Sequence, residues 1–277
     1  MPLVAELLLH PDGPVLGTGF SVHWSTVIGI GALAGLYWWR SRVEKQRASA
    51  GQIVAFAGGL VAMFLALNGP LHDLSDYDLF SAHMVQHLVL IFVVAPLLVA
   101  GTPGWMLRPA LGIKGVGPVA RWLTRPTRSF VIFNLMMAAW HIPVFYNLAM
   151  AVHPVHIVEH LMFLAAAVLM WWPFLSPLPE LPRLAYPGQM LYCFLMSIPM
   201  SIVAIYIAMA DHVLYPAYEA APRIWGLSPL EDQQLGGLIM WIPGGIVFYV
   251  VMTIVFFKWA QRGEDHAAAA QVGWRPS

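Results

Sequence analysis

Apolar residues gather into seven long runs, separated by short polar or proline-bearing stretches. The runs cover about 19–40, 51–68, 79–101, 128–150, 154–175, 187–210 and 233–258. Each comes close to the roughly 20 residues a helix needs to cross a hydrocarbon core. The pattern therefore predicts an all-α integral membrane bundle of seven transmembrane helices, forming one membrane domain over 1–277. Within the runs, polar residues recur at helical rather than alternating spacing, as in the pairs His83/His87 and His156/His160. The second run is short and rich in small residues (Ala57, Gly58, Gly59, Ala62), which suits close helix packing. Pro96, Pro143, Pro173, Pro199 and Pro243 fall inside the runs, where each removes a backbone hydrogen bond and is expected to kink its helix.

Charged residues fix a direction for this bundle. Thirteen Lys and Arg fall on one side: Arg40, Arg42, Lys45 and Arg47, then Arg108, Lys114, Arg121, Arg125 and Arg128, then Arg183, Lys258, Arg262 and Arg275. Arg223 alone falls on the other. The positive-inside rule places the basic side in the cytoplasm, with the N terminus outside and the C terminus inside. The first eighteen residues lack a basic start and read as a short outer tail rather than a cleaved signal. Residues 102–127, with glycine, proline and spaced tryptophans, read as a cytoplasmic interfacial connector. The outer loops are acidic, with Asp73, Asp76 and Asp78 before the third run and Glu231 and Asp232 at the start of the seventh.

Composition sharpens the class. Of 277 residues, 59% are hydrophobic and 10% charged, against about 25% charged in a soluble domain. The formal net charge of zero points to no nucleic-acid partner. Cys193 is the single cysteine, which excludes a disulfide framework, a cysteine-pair metal motif and a cysteine-held iron–sulfur cluster.

Histidine carries the candidate chemistry. On this topology ten of the eleven histidines lie in the outer half or in outer segments, with only His266 inside. Ionisable residues within membrane helices are costly and mark functional sites by default. A four-residue step stacks His83 above His87 about 6 Å apart along the helix axis. His156 and His160 repeat that geometry, with Glu159 beside them. Each pair can offer two nitrogens to one metal, or can snorkel and hydrogen-bond at the interface. Met84, about 100° away on its helix, can add a thioether only from the flank. His141 precedes Pro143 and serves either as a ligand or as a partner for a kinked backbone. Glu159 needs a metal, a charged histidine or an orienting imidazole as its partner. Asp232 reads first as a helix cap, and Gln233 as a residue that can orient imidazoles of neighbouring helices. His72, beside the acidic loop, reads as an entrance group. His156-x-x-Glu159-His160 also matches a zinc-protease pattern, but the soluble catalytic setting of that pattern is missing. A His-rich, thiol-free outer site suits copper best and zinc next. Haem held by two histidines is the competing cofactor.

Four strings carry a resemblance: His83-Met-Val-Gln-His87, Trp140-His-Ile-Pro143 followed by Tyr146, His156-x-x-Glu-His160, and Asp232-Gln-Gln-Leu-Gly-Gly-Leu-Ile-Met-Trp241. Over about residues 20–260 the chain resembles the multi-span CtaG-type cytochrome c oxidase assembly factors of bacteria. It does not resemble the single-span copper chaperone that shares the name. The resemblance implies a multi-pass factor of the bacterial cytoplasmic membrane that assembles haem–copper oxidase and handles copper on the outer face, without catalysis. Its expected partners are oxidase subunits, an extracytoplasmic copper donor and membrane lipid. The matched positions are His83, His87, His141, His156, Glu159, His160, Asp232 and Gln233. A haem-binding redox protein or haem-modifying enzyme, a copper permease and a bare scaffold stand as alternatives.

Overall fold

The computed structural model describes residues 20–44 and 46–273, with side chains through residue 262. The expectations for the 1–18 tail, His10, Lys45, Arg275 and the side chain of His266 lie outside the described residues. Among those residues the chain is all helical. The long helices are α1 (Trp24–Val43), α2 (Ala50–Ala66), α3 (Phe80–Gly101), α4 (Pro126–Trp140), α5 (Pro143–Ala151), α6 (His153–Leu175), α7 (Tyr186–Ala208) and α8 (Pro229–Gly273).

Local sequence explains many of the ends. Ser49 and Gln52 close a capping box at the start of α2, each side chain bonding the other's backbone N–H. Proline stands in the first turn of α4, α5, α6 and α7, where a missing N–H costs no hydrogen bond. The expected 128–150 helix is broken into α4 and α5, bent by 70°. Pro143 is the cause, because it holds Ile142 extended (φ −69°, ψ 129°) and ends α4 at Trp140. By contrast, Pro199 and Pro243 sit within uninterrupted helices.

Residues 69–78, expected as an outer loop, are helical instead. Gly69–Asp73 is a short α-helix, continued by a π-turn at Leu74–Asp78. The unit bends away from α2 by 45°. Gly69 makes the corner with φ +65°, where a side chain would also strike Phe20. A second π-turn, Leu90–Val94, lies within α3, and the indole N–H of Trp171 donates to the Ile91 carbonyl there at 2.7 Å.

Four helices are long and apolar enough to cross a membrane: α3, α6, α7 and Pro229–Arg262 of α8. Counting each bent pair as one span raises the number to six. The remaining helix of the expected seven, α1, contains Ser25, Thr26, three glycines and the terminal Arg40 and Arg42, which dilute its apolar character. Large apolar side chains cover the outside, among them Val54, Leu135, Val144 and Ile202, as expected for a multi-pass membrane protein.

The helices pack closely where small residues allow it. A Cβ at Gly237 would come within 2.6 Å of the Ala208 nitrogen, so α7 and α8 meet nearly backbone to backbone. The central core is built from Phe133, Met137, Phe163, Met170, Met196 and Met200. Polar groups are buried mostly toward one end, around the starts of α3 and α6.

Candidate metal centre

The start of α3 is held by another helix. No side chain of its own caps it. Asp232 of α8 supplies the acceptor instead, bonding the backbone N–H of Phe80 at 2.7 Å, that of Ser81 at 3.2 Å, and the Ser81 hydroxyl. A carboxylate at a helix N-terminus satisfies orphan donors and complements the helix dipole. Asp232 therefore caps a neighbouring helix two residues before His83, a role the local reading of its own helix could not contain.

Four imidazoles meet across α3 and α6. Ring centroids lie 4.3 Å apart within His83/His87 and 4.4 Å within His156/His160. Across the helices the separations are 5.5 Å for His83–His156, 5.5 Å for His87–His160 and 6.1 Å for His83–His160. Glu159 enters from α6 with no exposed surface. Its Oε1 stands 4.0 Å from Nε2 of His83 and 3.9 Å from Nε2 of His87.

Those two distances are too long for hydrogen bonds. They match two donors facing one ion, since zinc-like metal–nitrogen and metal–oxygen bonds are about 2.0–2.2 Å. Neither oxygen of Glu159, neither nitrogen of His87, nor Nε2 of His160 has a hydrogen-bond partner. Buried polar groups are almost always paired, and an unpaired one costs about 1–3 kcal/mol. Two three-donor sets have ligand atoms within 4.8 Å of one another: His83, His156 and His160, and His83, His87 and Glu159.

His141 sits at the margin of this group. It ends α4, its ring lies 6.3 Å from that of His87, and Nδ1 pairs with the Met137 carbonyl at 2.7 Å. It thus serves the backbone through one nitrogen while Nε2 stays unbonded and buried. His72 lies deeper than an entrance group would, with Nδ1 2.8 Å from Nε2 of Gln86 and Nε2 3.3 Å from Asp76 Oδ2. The same Asp76 oxygen lies 3.6 Å from Nδ1 of His156. Asp76 is buried because the 69–78 segment folds back as helix, which corrects its expected place in an outer loop.

Two expected contributors point elsewhere. Gln233 accepts from Leu214 N–H at 2.6 Å and donates to the His212 carbonyl at 3.2 Å, so it ties down a loop rather than an imidazole. Met84 packs against Gly236 of α8, away from the histidines. The turn of about 100° per residue aims Met84 at α8 instead. Outside the bundle, His212 bonds Asp211 at 2.6 Å and holds that exposed carboxyl below its ordinary range.

The structure adds residues that local reasoning missed. Gln86 bonds the Ala66 carbonyl at 2.8 Å and accepts from Ser75 at 3.2 Å, linking α2, the 69–78 segment and His72. Its signal was present as a polar residue inside an apolar run, between two histidines. Tyr146 lies 5.2 Å from His83 by ring centroid, and its hydroxyl is 2.7 Å from that of Tyr218. Tyr218 donates to the Ser75 carbonyl at 2.7 Å, so Tyr146 donates to Tyr218. Tyr146 is marked only by its place after the Trp140-His-Ile-Pro143 string, and nothing in its own stretch marks Tyr218.

Together these features define a multi-pass, all-helical membrane protein with a buried imidazole–carboxylate cluster toward one end of its bundle. The chain belongs to the cytochrome c oxidase caa3 assembly factor family, whose model matches residues 33–262. Among curated proteins it is similar to an uncharacterised protein of Mycobacterium leprae, 24% identical over 262 residues, covering 88% of this chain and 39% of the relative. Similar proteins of Mycobacterium bovis and Mycobacterium tuberculosis are each 25% identical over 252 residues, covering 85% of this chain and 38% of theirs. The chain thus spans about two-fifths of the length of these relatives. No solved structure matches it.

Proposed function

We propose that the protein binds copper in the imidazole–carboxylate cluster and delivers it during assembly of cytochrome c oxidase. The observation that carries this reading is Glu159, whose unpartnered oxygens face two imidazoles at ion-bridging distance. Family membership supports the oxidase as client. In this reading seven helices cross the bacterial cytoplasmic membrane with the N terminus outside, since the basic connectors follow α1 and α3. The cluster then lies on the extracytoplasmic side, where a copper donor protein and the oxidase subunits can reach it.

The chemistry asked of the chain is binding and release, with no bond made or broken in a substrate. His83, His87, His156, His160 and Glu159 are the donors, and zinc fits the same set. Bound haem is the weaker reading, because Glu159 stands within 4.0 Å of two imidazole nitrogens and crowds the space a flat macrocycle would fill.

Elemental analysis of purified protein, alongside oxidase activity in cells, tests the proposal. Wild type should hold copper, and the His87→Ala, His160→Ala double variant should lose both copper and oxidase assembly. Metal-free wild type together with normal oxidase in the double variant sinks the reading. A haem Soret band in most molecules would replace it with the haem alternative.

A further inference from the structure

The two three-donor sets share one residue and differ in charge. His83, His156 and His160 offer three neutral nitrogens, whereas His83, His87 and Glu159 include a carboxylate. Each set brings its donors within 4.8 Å of one another, and each requires His83. An ion on one set therefore takes a ligand from the other.

We infer that the cluster is a two-station site for a single ion, with a soft monovalent cation resting on the three imidazoles and a divalent cation on the Glu159 set. This rests on the metal-binding reading above and names the ion class each station takes. Two physical differences drive the choice. Carboxylate oxygen is a harder donor than imidazole nitrogen and favours divalent ions. Charge compensation acts in the same direction. A monovalent ion carries one charge and can rest on neutral nitrogens alone. A divalent ion carries two, and the Glu159 set places a carboxylate directly among its ligands. Uncompensated charge is strongly disfavoured in so dry an environment.

The neighbours fit this division. Asp76 faces the imidazole station through Nδ1 of His156 at 3.6 Å, so it stands behind a ligand and acts at one remove from the ion. Glu159 reaches the Nε2 atoms of both His83 and His87, and its own oxygens have no hydrogen bond to give up on binding. Exchange between stations needs only that His83 keep its ion while His156 and His160 are traded for His87 and Glu159. Such a shared pivot lets an ion move without ever being fully released into the bundle.

The test titrates purified full-length protein with Cu(I), in competition with a chromophoric chelator, and with Co(II), read by its visible absorption. Glu159→Gln should weaken Co(II) binding about tenfold or more, while Cu(I) affinity changes less than about threefold. His160→Asn should show the reverse selectivity, and His83→Asn should lose both ions. Cu(I) should displace Co(II) one for one. The ion that Glu159→Gln and His160→Asn each retain shows that these two variants are folded. Equal losses of both ions in both variants, or simultaneous binding of both ions, would overturn the two-station inference while leaving metal binding intact. Failure of wild type to bind either ion would instead remove the metal-binding reading itself.

Discussion

Replacing Glu159 with leucine should stabilise the metal-free protein and weaken the metal-bound one. In the metal-free state both carboxyl oxygens are buried without partners. Each unsatisfied buried group costs about 1–3 kcal/mol, and leucine of similar length removes the penalty. Taking about 2 kcal/mol in all, the thermal transition in chelator should rise by about 4–8 °C for a chain of this size. Divalent copper, held on the Glu159 set, has the opposite effect. At a thousand times its Kd, a ligand stabilises the native state by about 4.1 kcal/mol, and a hundredfold weaker site keeps about 1.4 kcal/mol of that. The variant's advantage in chelator should therefore vanish, or reverse, when Cu(II) is added. The assay is thermal unfolding of detergent-purified protein at one scan rate, with chelator and with copper, since membrane-protein unfolding is often rate-controlled. A variant less stable than wild type in chelator would refute the reasoning, because Glu159 would then have a structural partner.

Further predictions concern the frame around the cluster. Asp232→Ala removes three hydrogen bonds at the start of α3; it should cost about 2 kcal/mol and lower metal occupancy, with thermal unfolding and elemental analysis as readouts. Gly237→Ala places a Cβ 2.6 Å from the Ala208 nitrogen; forcing α7 from α8 should cost about 1–3 kcal/mol, visible as a lowered transition temperature. Only deprotonated imidazole nitrogens bind metal, so copper held at neutral pH should be released progressively as the pH falls, and equilibrium dialysis across pH would show it. Occupancy independent of pH would argue against imidazole ligation.

Much of the cluster is legible along the chain because helical spacing is a local property. A four-residue step puts His83 with His87, and His156 with His160, on one face whatever else the chain does. Glu159 in an apolar run likewise demands a partner before any partner is known. The orienting groups were misjudged for a related reason. Gln233 and Gln86 are both polar residues within apolar helices, and nothing local distinguishes the one that ties a loop from the one that touches His72. Asp232 looked like a cap and is one, but for α3 rather than for α8. Sequence pattern also overestimated the continuity of α4 and α5, although Pro143 marks the break.

What the sequence alone determined is therefore the apolar helices, the charge asymmetry between their ends, and the pairing of histidines within each helix. These follow from periodicity and composition, which act over a few residues. Tertiary structure decided that the two pairs face each other, that Glu159 stands between two imidazoles of another helix, and that 69–78 folds inward with His72 and Asp76. Those contacts join residues some seventy positions apart in the chain, as His83 and His156 are. Their geometry is set by how helices cross, where glycines let backbones approach, and which side chain caps a neighbour. None of these is encoded within a single turn.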